Sequence, residues 1–311
     1  MIAKPDVKIT ELLNKSNSDQ NHFTLSAEVI PPRNGVHPSQ ILRQIDVLTK
    51  AGAQFLAVTK GAGGSLRGGS LPIAQVIKES FSTPCIAHFT CRDLLPEEVE
   101  NQLVDHHFFG IRNILALRGD PPRGVENWSP REGSYPYAYQ LVEQIRALNN
   151  GRYLERAGYQ VQERERTDFC IGVAVYPDHP DENERIDFYK QKVEAGAEFS
   201  ISQILFDPDS YGRFLDLSAK HGINIPCLPG TQILKSQPQA ERIRNRFQIP
   251  IPERIMKLLP AEEKNASIDN SVHVLRELAD DFRRKGAPGL HLFVLNDTEY
   301  AQTALSQLSH R

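Results

Sequence analysis

The chain has 311 residues, with 36 Lys and Arg against 39 Asp and Glu, a formal charge of −3 and only 4 Cys. Its 40% hydrophobic and 24% charged residues suit a folded protein with a sizeable core and exclude global disorder, and the near-neutral charge offers no global attraction to nucleic acid or anionic membrane. The longest apolar runs, such as Ile171 to Val175, fall far short of the roughly 18–20 residues that cross a bilayer, and Met1-Ile2-Ala3-Lys4-Pro5 lacks a signal-peptide core, so the expectation is a cytoplasmic protein without a membrane partner.

Length alone is compatible with two domains or with one α/β barrel of about 250 residues plus extensions. The order of elements decides for the barrel. After an N-terminal extension over residues 1–20, Phe23 to Ile30 reads as a strand, and His37 to Gly52 follows with Ile41, Ile45, Val47 and Leu48 at helical spacing. Strand-like runs then recur at Phe55–Lys60, Cys85–Thr90, Asn113–Gly119, Phe169–Pro177, Phe199–Phe206, Ile223–Gly230 and Leu290–Asn296, each followed by a segment of helical period. Several intervening helices end in the Gly that a left-handed cap favours, at Gly52, Gly110, Gly196 and Gly222.

Eight short apolar strands alternating with amphipathic helices predict an α/β fold with parallel strands, closed as a (β/α)8 TIM barrel occupying residues 1–311 as one domain. Two segments exceed the basic unit. Asn149 to Thr167 interleaves charges before the fifth strand and is expected at the strand's N-terminal end, away from chemistry. Ser236 to Gly289 holds extra helices between the seventh and eighth strands, one starting at Ile251-Pro252-Glu253-Arg254 and one covering Leu275 to Lys285. The cysteines, Cys85, Cys91, Cys170 and Cys227, form no CxxC pair, and three of them lie in or beside apolar strand-like runs, so neither a disulfide framework nor a metal site is expected.

Functional groups of a parallel barrel project from the C-terminal strand ends. Here those ends carry Glu28, Thr59-Lys60-Gly61, His88, Arg118-Gly119-Asp120, Tyr176, Gln203 and Pro229-Gly230, a dense polar ring. Glu28 ends an apolar strand and has two readings: a proton donor with a raised pKa, or a rim carboxylate paired with Arg or Lys. Gly61-Ala62-Gly63-Gly64-Ser65 is rich in glycine but lacks P-loop or dinucleotide-fingerprint spacing. Taken singly, His88 reads as a satisfied core histidine, and Tyr176 and Ala138 as packing.

In order along the chain, Ala27-Glu28-Val29-Ile30-Pro31-Pro32-Arg33, Val58-Thr59-Lys60-Gly61-Ala62-Gly63-Gly64-Ser65, Ala87-His88-Phe89-Thr90-Cys91, Leu115-Ala116-Leu117-Arg118-Gly119-Asp120-Pro121-Pro122, Tyr176-Pro177-Asp178-His179-Pro180, Lys192-Val193-Glu194-Ala195-Gly196-Ala197 with Gln203, and Pro229-Gly230 resemble the methylenetetrahydrofolate reductase family, in its small single-domain bacterial form. The resemblance implies a (β/α)8 flavoprotein of one-carbon metabolism that reduces 5,10-methylenetetrahydrofolate to 5-methyltetrahydrofolate, with FAD as cofactor, NADH or NADPH as co-substrate and ping-pong kinetics. It implies Glu28 as the general acid that opens the imidazolidine ring, and Asp120 as the carboxylate that stabilises the resulting cation and binds the pterin. Flavin contacts implied by matching positions are Thr59, Ala62, His88, Arg118, Gly119, Asp120, Ala138, Tyr176, His179 and Lys192. Gln203 matches a pterin and nicotinamide contact, and Gln239 a folate contact.

The chain departs from the family pattern at Lys60, where Tyr is usual in the loop that meets flavin, and in a stretch from His179 to Lys192 about three residues shorter, where the adenosine partners are not recognisable in Asn183-Glu184-Arg185-Ile186-Asp187. Asp297 stands where an Arg contacting folate is common, and Thr231-Gln232-Ile233-Leu234 varies a more apolar loop. These departures leave two alternatives: the same reaction with weak or no flavin, and a non-catalytic folate- or flavin-binding barrel serving a partner subunit. Apolar helix faces suit the core or a homo-oligomer interface equally well, and nothing in the sequence separates NADH from NADPH. Lys60, Arg118 and Lys192 together predict a local cationic pocket for a dinucleotide's phosphates.

Overall fold

The computed structural model describes residues 3–18, 22–61, 65, 67–122, 124–125, 127–158 and 164–309. Eight strands, β1 (Thr24–Val29), β2 (Phe55–Val58), β3 (Cys85–Thr90), β4 (Asn113–Leu117), β5 (Cys170–Val175), β6 (Phe199–Ile204), β7 (Cys227–Thr231) and β8 (Gly289–Phe293), form a closed barrel in chain order. Every neighbouring pair is parallel, and β8 closes onto β1 with Thr24 opposite Gly289 and Glu28 opposite Phe293. The expected (β/α)8 barrel is therefore present.

The surrounding helices are α2 (Ser39–Lys50), α3 (Ser70–Ser80), α4 (Pro96–Phe108), α5 (Ala138–Asn149), α6 (Glu182–Ala195), α7 (Pro208–Lys220), α8 (Gln237–Phe247), α9 (Glu253–Leu258), α10 (Ile268–Arg284) and α11 (Thr298–Ser309). Extra helices between β7 and β8 appear as expected: α8, α9 and α10 all lie there. The four glycines expected as helix stops adopt positive φ. One strand is shorter than its apolar run: β7 begins at Cys227 rather than Ile223, because Pro226 offers no N–H to a ladder and serves instead as acceptor for Ser200 N–H.

Alternation along each strand separates two cores. Leu56, Val58, Ala87, Phe89, Val173 and Leu292 face outward to the helices, whereas Phe55, Ala57, Ile86, Leu115, Cys170, Phe199, Ile201 and Leu228 fill the barrel. The inner core includes Ile9 and Leu13 of α1 (Ile9–Ser18), so the N-terminal helix plugs the end of the barrel opposite the strand C-termini. Polar contacts register this plug: Asn113 accepts from Ile9 N–H at 2.9 Å and donates to Val7 O at 2.8 Å. The described part of the charged excursion before β5 lies at that end too, with Leu154 N–H on Glu100 of α4 and Thr167 N–H on Leu148 O; residues 159–163 lie outside the described residues.

Truncating the fully buried Leu13 to Ala should cost about 2–5 kcal/mol. The expected readout is a lower denaturant midpoint with substrate KM unchanged, because the plug and the strand C-termini are at opposite ends.

Candidate active site

Inward positions at the C-terminal strand ends should form the mouth, and Glu28, Thr59 and His88 do so on three adjacent strands. All three are buried. Among the described residues Glu28 has no Arg or Lys partner, which removes the rim-carboxylate reading; its neighbour is His88, with Nε2 3.6 Å from Glu28 Oε2. Desolvation raises the Glu28 pKa to about 8 and lowers that of His88 to about 4. At neutral pH the contact therefore joins a carboxylic acid to a neutral imidazole and is not an ion pair.

His88 Nε2 and Thr59 Oγ1 are buried without a hydrogen-bond partner. An unpaired buried polar atom is costly, so His88 is not a satisfied core histidine, and both atoms await a ligand or water. One layer below, His291 Nδ1 lies 2.9 Å from Ser26 Oγ, and burial with the nearby His88 holds its pKa at about 3. The sequence reading missed this layer. Ser26 is two residues before Glu28, so period-two alternation signals its inward aim; His291 follows from the closing register, Ser26 opposite His291.

Arg118, Gly119 and Asp120 follow β4. Gly119 has φ +95°, and a Cβ there would lie 2.9 Å from Arg92 Cβ and 3.2 Å from Thr90 Cβ, so both conformation and space favour glycine. The turn is tied by Arg92, whose Nη1 donates to Asp120 O, and by Cys91 Sγ on Arg118 O at 3.8 Å. The side chains of Arg118 and Asp120 remain exposed, and both act electrostatically on the Tyr176 hydroxyl. Lys192, from α6, donates to Ala174 O at 2.8 Å with Nζ 6.0 Å from the Tyr176 ring centre. Burial first, and Arg118 second, lower its pKa to about 8.

Ala138 opens α5 half-buried beside Tyr137, whose ring stands 5.8 Å from Phe188 of α6. His179 is exposed in the β5–α6 connection, its Nδ1 accepting from Asp181 N–H at 3.2 Å. Ala62 lies outside the described residues.

Two expected positions use their amides in local hydrogen bonds. Gln203 continues the inward row of Phe199 and Ile201 to the mouth, where it is exposed and its Oε1 accepts from Ile204 N–H at 2.9 Å; the β6–β7 register shifts between Ile201 and Ile204, and Ser202 Oγ takes the Gly230 N–H at 2.8 Å. Gly230 permits this approach: a Cβ would sit 2.5 Å from Ser202 O and from the Phe293 ring. Gln239 uses its amide within its own loop, accepting from Lys235 N–H at 3.0 Å and donating to Ile233 O at 3.4 Å.

Lys60 does not join the cationic pocket expected of it. Its Nζ turns outward, donating to Gln102 of α4 at 2.6 Å over the Phe89 ring at 4.2 Å. Thr59 and Lys60 continue the alternation of β2, so one faces the mouth and the other the helices. Asp297, after β8, is neutralised by Lys235 Nζ at 2.5 Å.

The donor set fits a phosphate-bearing aromatic cofactor: Arg118 and the desolvated Lys192 supply cations beside the Tyr176 ring, while Thr59 and His88 present unpaired polar atoms to the barrel axis. Fold and mouth thus define a (β/α)8 barrel with a buried acid and a cationic rim at its C-terminal face.

The chain belongs to the methylenetetrahydrofolate reductase family, whose model it matches over residues 13–309. It is 29% identical over 308 residues to 5,10-methylenetetrahydrofolate reductase of Escherichia coli, covering 97% of this chain and 96% of that one. It is 31% identical over 280 residues to methylenetetrahydrofolate reductase 1 of Schizosaccharomyces pombe, covering 88% of this chain but 44% of the yeast protein, so it spans about half the length of that relative. Among solved structures it shares its fold with a Clostridium thermocellum protein described as binding two copies of 5-methyl-5,6,7,8-tetrahydrofolic acid, at TM-score 0.60 and 13% identity over 96% of this chain and 99% of that one.

Proposed function

We propose that the protein reduces 5,10-methylenetetrahydrofolate to 5-methyltetrahydrofolate with NADH or NADPH, using FAD as its cofactor. The observation that carries this reading is Glu28: a buried acid with a pKa of about 8, at the mouth of a barrel whose family is named for that reaction. Support for the folate also comes from the E. coli relative, which matches along nearly its whole length.

Arg118 and Lys192 would hold the cofactor's phosphates, and Thr59, His88, Gly119, Ala138, Tyr176 and His179 would line its remaining surface. When bound, FAD supplies a two-electron carrier between the nicotinamide and the folate. Glu28, protonated at neutral pH, donates its proton to N10 of the folate, which breaks the N10–CH2 bond and leaves the cation at N5. The Asp120 carboxylate would offset that positive charge and accept from the pterin amino edge. His88, neutral, neither repels the cation nor competes for the proton. Gln203, exposed at the mouth, would offer its amide N–H groups to the pterin or nicotinamide. Because Lys60 faces α4, it does not obstruct the cofactor region, so flavin binding is compatible with this departure.

Two measurements test the reading. The purified protein should show flavin absorbance near 450 nm that bleaches with NAD(P)H and recovers on adding methylenetetrahydrofolate; absence of recovery with any folate would overturn the reaction. In addition, kcat at saturating substrate should fall as pH rises through about 8, because only protonated Glu28 is competent. A profile flat across that range removes Glu28 from the acid role.

A further inference from the structure

Residues 176–181, between β5 and α6, are shaped by a side chain from the helix they lead into. One turn into α6, Arg185 sends Nη1 back to two carbonyl oxygens of the connection, Pro177 O at 2.5 Å and His179 O at 3.3 Å, while Nη2 lies 3.4 Å from Glu182 Oε1. The connection closes on itself as well: His179 N–H donates to Tyr176 O at 3.1 Å, and the Asp181 side chain accepts from Glu184 N–H at 2.9 Å. Beneath it, Asp178 Oδ2 and Arg185 Nε are both buried without a hydrogen-bond partner, with Ser210, Asp207 and Arg213 of the β6–α7 region around the carboxylate.

We propose that Arg185 is a positioning residue of the flavin site: its guanidinium fixes the 176–181 connection and thereby the aim of Tyr176 and His179. The inference rests on the cofactor reading above. Arg185 touches neither of those two side chains; it holds the backbone on either side of Asp178. Two carbonyls converging on one nitrogen, with the neighbouring nitrogen directed to Glu182, suit a planar fork, and a Lys ammonium reproduces only part of that set. The connection itself is exposed at Tyr176, His179 and Pro180. Releasing it therefore costs geometry at the mouth more than burial in the core, since freed carbonyls can turn to water. In sequence, Asn183 to Asp187 holds no recognisable partners for the adenosine half. In the structure Arg185 of that stretch is committed to the backbone.

The test is titration of FAD into apoprotein, followed by flavin fluorescence, for the parent, Arg185→Gln, Arg185→Lys, His179→Ala and the double variant. Arg185→Gln should raise the dissociation constant about tenfold, equivalent to about 1.4 kcal/mol, with Arg185→Lys intermediate and the apoprotein melting temperature unchanged. Adding His179→Ala to Arg185→Gln should give no further loss, because the histidine's aim is already gone. Unchanged FAD affinity with a lowered melting temperature would make Arg185 merely structural, and additive losses would also overturn the proposal. If Arg185→Gln does not fold, Arg185→Lys carries the same cycle. A parent protein that takes up no FAD overturns the cofactor reading itself, whereas a parent that binds FAD as tightly as Arg185→Gln overturns this inference alone.

Discussion

Replacing Glu28 by Gln is expected to lower turnover of methylenetetrahydrofolate by about 10²–10⁴-fold, the usual worth of a positioned general acid. Gln preserves the volume and an uncharged polar group at the barrel mouth but has no acidic proton to give, so folate affinity should survive while kcat falls. A variant that instead raises KM at unchanged kcat would assign Glu28 to binding alone.

Stability supplies an independent reading of the same substitution. Glu28 titrates near 8 in the fold against an ordinary value of 4.5. Between those pH values the unfolded chain has released a proton that the folded chain still holds. Stability conferred by the protonated acid is thus lost progressively as pH rises from about 4.5 and fully by about 8. Gln carries no such dependence. Glu28→Gln should therefore gain stability relative to the parent as pH rises across that window, and match it most closely at acid pH. The gain in stability and the loss of turnover have opposite signs, which separates a site residue held at a cost from one that serves the fold.

How much of this was legible in the sequence depends on which physical regularity each feature obeys. Strand and helix order followed from periodicity, and closure followed from the count of eight, so the barrel and the strand-end ring containing Glu28, His88 and Asp120 could be read directly. The outward turn of Lys60 was legible too, since alternation from Phe55 through Ala57 and Thr59 assigns every second residue of β2 to the helices, whereas the resemblance at its loop points to the flavin. Gln203 was legible in position, since alternation from Phe199 through Ile201 carries it to the mouth, but its bond to Ile204 N–H was not. The His291–Ser26 contact required the register of a closing pair 265 residues apart in sequence. The α1 plug was hidden for a different reason: Ile9 and Leu13 would give the same amphipathic pattern on any helix, and only Asn113 and the inner core show where that face goes.

Substituting Lys192 by Met should weaken FAD binding by about 10–150-fold, the equivalent of about 1.5–3 kcal/mol for one charge-assisted contact. Lys192 is costly in the absence of a ligand: burial and Arg118 hold its pKa at about 8 against 10.5 for the free side chain. The penalty of keeping it charged is full below pH 8 and is relieved as pH rises from 8 to 10.5, where the folded chain is neutral and the unfolded chain still protonated. A phosphate beside Lys192 restores the charge, so binding takes up a proton above pH 8 and affinity should decline with rising pH there. In Lys192→Met that decline disappears, and the apoprotein at pH 7 should melt no lower than the parent because the desolvated ammonium is gone. Fluorescence titration across pH 6.5–9.5, paired with thermal melts of both apoproteins, measures the two effects separately. If Lys192→Met lost stability and kept its FAD affinity, the bond to Ala174 O would be the residue's purpose and the phosphate assignment would fall.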